Sequence, residues 1–458
     1  MEPTRPIKRL NSKVLKDSFQ SIPWGYKGRV TDVVGTLIEA TLPGSHVGSI
    51  VNITAPDRRD SIVAEVVGFR KERILLLPYS HLNGVSPGST VQPVRTFTQV
   101  PVSSHLLGHV IDAFMNRLDG ENLVAPAHAP LFEIDRDAPN PMERVRIERP
   151  MSLGIRSMDA LLTFGEGQRI GIMAGSGVGK SVLMGMIAKN SEADVNVIAL
   201  IGERGREVRE FLERDLGPEG LKRSVVVVVT SDQSPLMRIR GAKLATTIAE
   251  YFSSQQKNVM LMVDSLTRVA MAQREIGNSV GEPPTTKGYT PSVFSLLPKL
   301  LERAGPQRKG YGAISGLYTV LVDGDDFNDP VADAARSILD GHINLTRQLA
   351  AKGHFPAIDV TTSASRVMSD IVPQSHWQQA NYFRELIGTY ASNQDLIQIG
   401  AYQPGTNPKL DEAIRLMPLL EGFLKQGIHE STNLDDAFTG LRRVLTGQAH
   451  HPSKTRAG

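Results

Sequence analysis

Ala174, Gly175, Ser176, Gly177, Val178, Gly179, Lys180 and Ser181 carry the strongest chemical signal in the sequence. An apolar run at 168–174 leads into them, and a helical pattern at 182–189 follows. Strand, glycine-rich turn and helix together are the context of a phosphate-binding loop. Glycines let the backbone N–H groups turn inward around an anion. The helix N-terminus adds partial positive charge. Lys180 is placed to reach the β- and γ-phosphates of a nucleoside triphosphate, and Ser181 to offer its hydroxyl to Mg²⁺. The first motif position is Ala174 where glycine is usual. That position opens the turn, so a small residue suffices. A chance glycine-rich turn is the bland alternative, and Gly-Lys-Ser in register with both flanks outweighs it.

Two carboxylates and an arginine join this loop as candidates. The run at 259–264 is an apolar strand ending in Asp264. Such a strand carries a carboxylate to the C-terminal edge of a parallel sheet, where Mg²⁺ and its waters sit beside a phosphate loop. Alone that pattern is common; paired with the loop it is specific. Glu203 follows the apolar run 195–201 and is itself followed by Arg204, Gly205, Arg206 and Glu207. A carboxylate at a strand end near the γ-phosphate can polarise an attacking water. Without the loop, a first-turn helix carboxylate would be the better reading of Glu203, and Glu207 suits a helix face. Arg366 lies past the last strand-like run. A guanidinium can neutralise charge on a phosphoryl group in transfer, although taken alone such a residue is more often a surface arginine.

Positioning these groups requires a sheet. Strand-like runs at 168–174, 195–201, 224–230, 259–264 and 317–322 alternate with amphipathic segments. That order argues for a parallel sheet covered by helices. The unbroken valines at 225–229 suit a strand buried on both faces. Ahead of this region, Val- and Ile-rich runs at 28–40, 49–55, 61–68 and 73–78 alternate with Gly, Pro and Asp. Turn signals recur about every 8–12 residues, the pattern of a small antiparallel barrel or sandwich. Residues 56–60 read as a solvated turn, and the Pro-rich stretch 95–150 as the entry to the next domain. From about 374 the pattern is helical, clearest at 410–425 and 434–445. The tail from 450 is polar and expected to be disordered. At the other end, Ile7, Leu10, Val14, Leu15 and Phe19 recur at helical spacing among Arg5, Lys8, Arg9, Lys13 and Lys16. This reads as a short basic amphipathic helix. It is either an arm packed on its own domain or a docking element for a partner or an acidic membrane surface.

Composition narrows the rest. At about 150 residues per domain, 458 residues suggest roughly three domains. The chain has no cysteine, which excludes a disulfide scaffold, a thiolate nucleophile, a zinc ribbon and an iron–sulfur site. Lys plus Arg is 51 against 48 for Asp plus Glu, a net charge of +3. That is too small for nucleic-acid binding by the whole surface, so no nucleic-acid partner is expected. No apolar run approaches the ~18–20 residues of a membrane span, and residues 1–20 lack the apolar stretch of a secretory signal. A soluble cytoplasmic protein is expected.

The strings AGSGVGKS (174–181), IGERGREV (201–208), DSLTRVAMAQREI (264–276) and GEPPTTKGYTPSVF (281–294) resemble the hexameric ATPases of bacterial type III protein export. Those enzymes are related to the catalytic subunits of rotary ATP synthases. The resemblance runs from about residue 26 to about 445, and its last two strings are long and specific. It implies an α/β P-loop (RecA-like) core with a parallel sheet at 95–373. A small N-terminal β-barrel at 26–94 would precede it, and a helical C-terminal domain with a disordered tail would follow at 374–458. Residues 1–25 would form the partner-docking helix. Within the family, the string LIQIGAYQPGT (396–406) resembles the flagellar branch more than the virulence injectisome branch.

By this resemblance, Lys180 and Ser181 bind phosphate and Mg²⁺, and Glu203 activates water. Arg204 is its neighbour near the γ-phosphate, and Asp264 holds a Mg²⁺-bound water. Arg366 is the arginine supplied across a subunit interface, and Phe355 stacks on adenine. ATP and Mg²⁺ are the implied ligands. A homohexameric ring would hydrolyse ATP to energise or prepare flagellar protein export. Its implied partners are a stator-like regulator on the N-terminal helix, a central stalk near 281–290, export chaperones and substrates. An export gate at the inner membrane completes the set and implies a peripheral location at its cytoplasmic face. If Arg366 completes a neighbour's site, activity should rise more steeply than linearly with protein concentration.

Rival readings differ in what they require. A rotary synthase catalytic subunit would carry an acidic run in its C-terminal domain, where residues 430–436 hold only scattered acids. An RNA translocase of the termination-factor type needs a barrel face with basic and aromatic residues interleaved. Tyr26, Phe69 and Tyr79 with scattered Lys and Arg are thin support for that. A ring subunit that only binds nucleotide would have no use for Glu203.

Overall fold

Short apolar strands build the first unit of the chain, which ends at Phe97. The computed structural model describes residues 26–56, 61–82, 84–94, 98–121, 125–322 and 329–449. The expected basic helix at 1–25, turn residues 57–60 and the polar tail at 450–458 lie outside the described residues. Six strands close into a barrel in the order β1-β2-β5-β4-β3-β6. They are β1 (Gly28–Val34), β2 (Leu37–Thr41), β3 (Ile50–Thr54), β4 (Ser61–Arg70), β5 (Arg73–Pro78) and β6 (Thr90–Pro93). Val30, Ile38, Val51, Ile53, Val66, Leu76 and Val91 fill the interior. Closure by β6 against β1 leaves no free sheet edge. The apolar run read at 28–40 is two strands, because Gly35 at φ 61° lets the chain reverse between them. Glu39 on β2 is buried, and Arg70 (2.6 Å) and Arg73 (3.0 Å) hold its carboxylate.

The second unit, Thr98–Gly458, carries the parallel sheet. Its strands are β8 (His109–Ile111), β10 (Arg169–Ala174), β11 (Val195–Glu203), β12 (Ser224–Thr230), β13 (Val259–Asp264), β14 (Ile314–Leu321), β15 (Gly341–Leu345) and β16 (Ala364–Ser365). Their order is β16-β15-β10-β14-β13-β11-β12-β8, and only β16 runs antiparallel. β7 (Gln99–Pro101) and β9 (Leu131–Glu133) form a separate pair. The valines of β12 are all buried, as their unbroken run requires.

Helices 374–392, 408–424 and 434–445 follow the sheet. One apolar core runs from Ile172 and Ile198 in the sheet to Phe383, Leu420, Phe423 and Leu441 in these helices. His376 stacks on Phe438 at 3.6 Å and reaches the carbonyl of Ala160 (2.8 Å), which ties the helices to residues just before β10. Among the described residues, no helix is long and apolar enough to cross a membrane.

Candidate active site

Three parallel strands end together at one edge of the sheet. β10 ends at Ala174, β11 at Glu203 and β13 at Asp264. After β10 the chain wraps through Gly177 (φ 80°) and Gly179 (φ 91°), and Gly179 caps the helix Lys180–Asn190. Positive φ at both positions is why glycine stands there. Lys180 and Ser181 therefore open the helix, where its unsatisfied N–H groups and dipole favour an anion.

Lys180 turns back onto the two carboxylates. Its Nζ bonds Oδ1 of Asp264 and lies 3.6 Å from Oε1 of Glu203. Thr319 on β14 donates to the same Asp264 oxygen at 2.7 Å. Burial works against the charge on Lys180, but Asp264 and Glu203 hold its pKa above the ordinary lysine value. Burial pushes the Glu203 carboxyl up to about 7. Lys180 opposes that rise, and the nearby Asp264 and Glu207 add to it. A carboxyl balanced near neutrality is suited to take a proton.

Gly202 aims Glu203. The β11–β12 register shifts between Ile201 and Glu203, and Gly202 sits in that bulge at φ 73°. A bulge re-aims the side chain that follows it. The site also admits no larger residue, since a Cβ on Gly202 would lie 2.8 Å from Cβ of Arg268.

The other candidates stand apart from this cluster. Arg204 caps the helix Gly205–Glu210, is exposed, and pairs with Glu207 at 3.3 Å. Phe355 is 46% exposed and approaches the loop, for a Cβ on Gly179 would stand 3.6 Å from two of its ring carbons. Arg366 follows β16 and is exposed. Its Nη2 donates to the Arg336 carbonyl (2.9 Å) and its N–H to the Asp340 carbonyl (2.9 Å). Asp340 in turn bonds Arg169 at the start of β10. Arg366 thus sits level with the first residue of β10, and the phosphate loop leaves from the last. Five residues at ~3.3 Å each put the two ends about 16 Å apart.

The donor set fits Mg²⁺. Ser181 and Asp264 offer hard oxygens, and Mg²⁺ is usually held by one or two such groups plus phosphate and water. Among the described residues there is no cluster of three His, Asp or Glu side chains that would cage a metal without phosphate.

Residues 154–365 match the ATP synthase alpha/beta family, nucleotide-binding domain, and residues 30–95 its beta-barrel domain. Residues 372–443 match the T3SS EscN ATPase C-terminal domain. The "Flagellum-specific ATP synthase" of Bacillus subtilis (strain 168) is 56% identical over 421 residues, 92% of this chain and 95% of that protein. The chain belongs to the type III and flagellar export ATPase family. The assembled ATPase EscN of the enteropathogenic E. coli type III secretion system superposes with a TM-score of 0.85 at 44% identity. That match covers 91% of this chain and all of the other. EscN in complex with its central stalk EscO gives 0.83, with the same identity and coverage. This export ATPase is an ATP-hydrolysing enzyme with an N-terminal barrel, a P-loop core and C-terminal helices.

Sequence reasoning missed two residues at the site. Thr319 lies inside an apolar strand, and nothing local marks it as a partner of Asp264. Arg268 stands four residues past Asp264, third in the helix Leu266–Val280, with its stem over Gly202. Its Nε is buried and makes no hydrogen bond among the described residues. Its place in the first turn of the helix that follows Asp264 was the available signal.

Proposed function

We propose that this export ATPase hydrolyses Mg·ATP at the edge formed by Lys180, Glu203 and Asp264, and that hydrolysis energises flagellar protein export. The single observation behind the reading is the convergence of these three side chains at the mouth of a glycine-rich loop. Loop residues 174–181 wrap the phosphates. Lys180 leaves its carboxylates to meet the β- and γ-phosphates, and Ser181 and Asp264 hold Mg²⁺, which when bound neutralises charge on the phosphate oxygens. Lys180 is the cation that holds Glu203 down, so its departure raises the basicity of Glu203 toward the attacking water. Arg268 lies on the same side as Glu203 and adds a cation. Arg204 guards the rim, and Phe355 stacks on the base.

Arg366 acts on a neighbour's γ-phosphate. Its place level with the start of β10, whereas its own loop leaves from the end, supports that role, since an arginine side chain does not span the length of that strand. A head-to-tail contact that closes gives a ring, and the reading is a homohexamer. The loop at 281–290 is exposed from Pro283 to Gly288 and is the proposed contact for a central stalk. Chaperones, substrates, a regulator on residues 1–25 and the membrane gate complete the proposal, with the ring peripheral to the inner membrane. The flagellar branch is preferred on the identity to the Bacillus subtilis relative.

Glu203→Gln tests the chemistry. ATP binding should persist while kcat falls by about 10²–10⁴. Unchanged hydrolysis would remove Glu203 from the mechanism.

A further inference from the structure

The nucleotide end of the molecule and the C-terminal helices meet at one buried glutamine. Gln426 lies two residues past the helix Pro408–Leu424 and is 6% exposed. Its backbone N–H donates to the carbonyl of Phe355 at 2.9 Å. Its side chain is fully engaged. Oε1 accepts from the N–H of Arg156 (2.7 Å), and Nε2 donates to the carbonyls of Gly154 (2.8 Å) and Glu430 (2.9 Å). Arg156 reinforces the same joint. Its Nη1 donates to the carbonyls of Phe423 and Lys425, and its Nη2 pairs with Glu430 at 2.8 Å.

These bonds have a mechanical consequence. Phe355 is the aromatic residue against Gly179 of the phosphate loop. The residue that holds its carbonyl is the one that fixes how the chain leaves the helix Pro408–Leu424. Gln426, Arg156 and Gly154 are buried, and a buried amide that loses a partner is left desolvated and unpaired. A base that settles on Phe355 must shift, or be resisted by, the C-terminal helices. Two sites biased by one element affect each other reciprocally.

We propose that Gln426 is a positioning residue that couples the nucleobase at Phe355 to the C-terminal helices, so that occupancy of the base pocket sets their position. The proposal rests on the reading of Phe355 as the base platform. It separates the two halves of ATP: the triphosphate engages the loop, and the base moves the helices.

The protein contains its own reporter. Of its two tryptophans, Trp24 and Trp377, the second lies on the helix Gln374–Ser392 and packs against the apolar core. The experiment uses the full chain carrying Trp24→Phe, with a non-hydrolysable ATP analogue and inorganic tripolyphosphate as probes. Calorimetry reads binding and fluorescence reads Trp377. In the parent the analogue should bind and change the Trp377 emission, and tripolyphosphate should bind with little change. In Gln426→Ala the analogue should still give saturable heat, while the emission change falls at least about fivefold. Gln426→Glu keeps the acceptor for Arg156 and loses both side-chain donors, so it should fall between the two. It also carries the test if the alanine variant fails to fold.

An equal emission change in the parent and both variants would overturn the proposal. So would an equal response to tripolyphosphate, or binding of the analogue by the parent with no response. No saturable heat from the analogue in the parent would overturn the nucleotide reading itself, and the coupling with it. A residue that merely stabilises the fold would lower the melting temperature without separating the two probes.

Discussion

At the C-terminal edge of the sheet, Lys180, Glu203 and Asp264 are drawn into a buried cluster. At the opposite end, Arg366 lies exposed just past an edge strand, bonded to main-chain carbonyls. The first region is drawn together within one chain: Lys180 faces two carboxylates, burial raises the Glu203 carboxyl, and a bulge aims Glu203. The second has a cation, Arg366, whose guanidinium donates to a main-chain carbonyl and makes no ion pair among the described residues. The difference teaches that one chain builds the part of a phosphoryl-transfer site that binds and deprotonates. In the function proposed here, a further cation for the transition state is the exposed arginine of another copy.

Disabling the far end should have the largest effect. Arg366→Ala is expected to lower kcat by about 10³-fold or more and to flatten the dependence of specific activity on protein concentration. ATP binding to the separate chain, read by calorimetry, should survive. Disturbing the near end comes next. Gly202→Ala forces a Cβ against Arg268 at a position with φ 73°, so Glu203 must shift. A misplacement of about 1 Å costs about 10²-fold in kcat, while the concentration dependence should keep its shape.

A smaller effect concerns protonation. Glu203 titrates near 7 because burial disfavours its ionised form. Its active form is the carboxylate, so kcat/KM should rise with pH and level off above about 7. Below that midpoint it should fall about tenfold per pH unit. Arg366→Ala should leave the midpoint where it is. The smallest effect is at the base platform. Phe355→Ala should raise KM for ATP by about three- to tenfold, since ring stacking contributes about 0.5–1.5 kcal/mol. The same change should leave tripolyphosphate affinity nearly untouched.

Much of the architecture was legible because burial on both faces leaves a plain trace. The strands Ser224–Thr230 and Val259–Asp264 have the bounds their apolar runs suggest. The helix Leu434–Leu445 follows its amphipathic pattern in the same way. The short strands were not legible. β8 has three residues and β16 two, too few for any period to show. β15 carries His342 and Asn344 among its five residues, which breaks an apolar run. At the site, the phosphate loop and Asp264 announced themselves through strand–turn–helix order, because local geometry dictates those residue types. The remaining contacts are set by tertiary structure. Thr319 reaches Asp264 from a strand 55 residues away, and Gln426 reaches Gly154 across 272 residues. No local pattern encodes either contact.

A mixing experiment reads directly whether the site is shared between copies. Chains carrying Lys180→Ala keep Arg366 but cannot hold phosphate; chains carrying Arg366→Ala keep the loop but offer no arginine. Each alone should be nearly inactive. Mixed and allowed to assemble, they place an intact loop beside an intact arginine at some interfaces. The ATPase rate of the mixture should then rise well above the sum of the separate rates, with a maximum near equal proportions. A mixture no faster than that sum, at concentrations where the parent chain is assembled and active, would contradict a site completed by Arg366 of a neighbour.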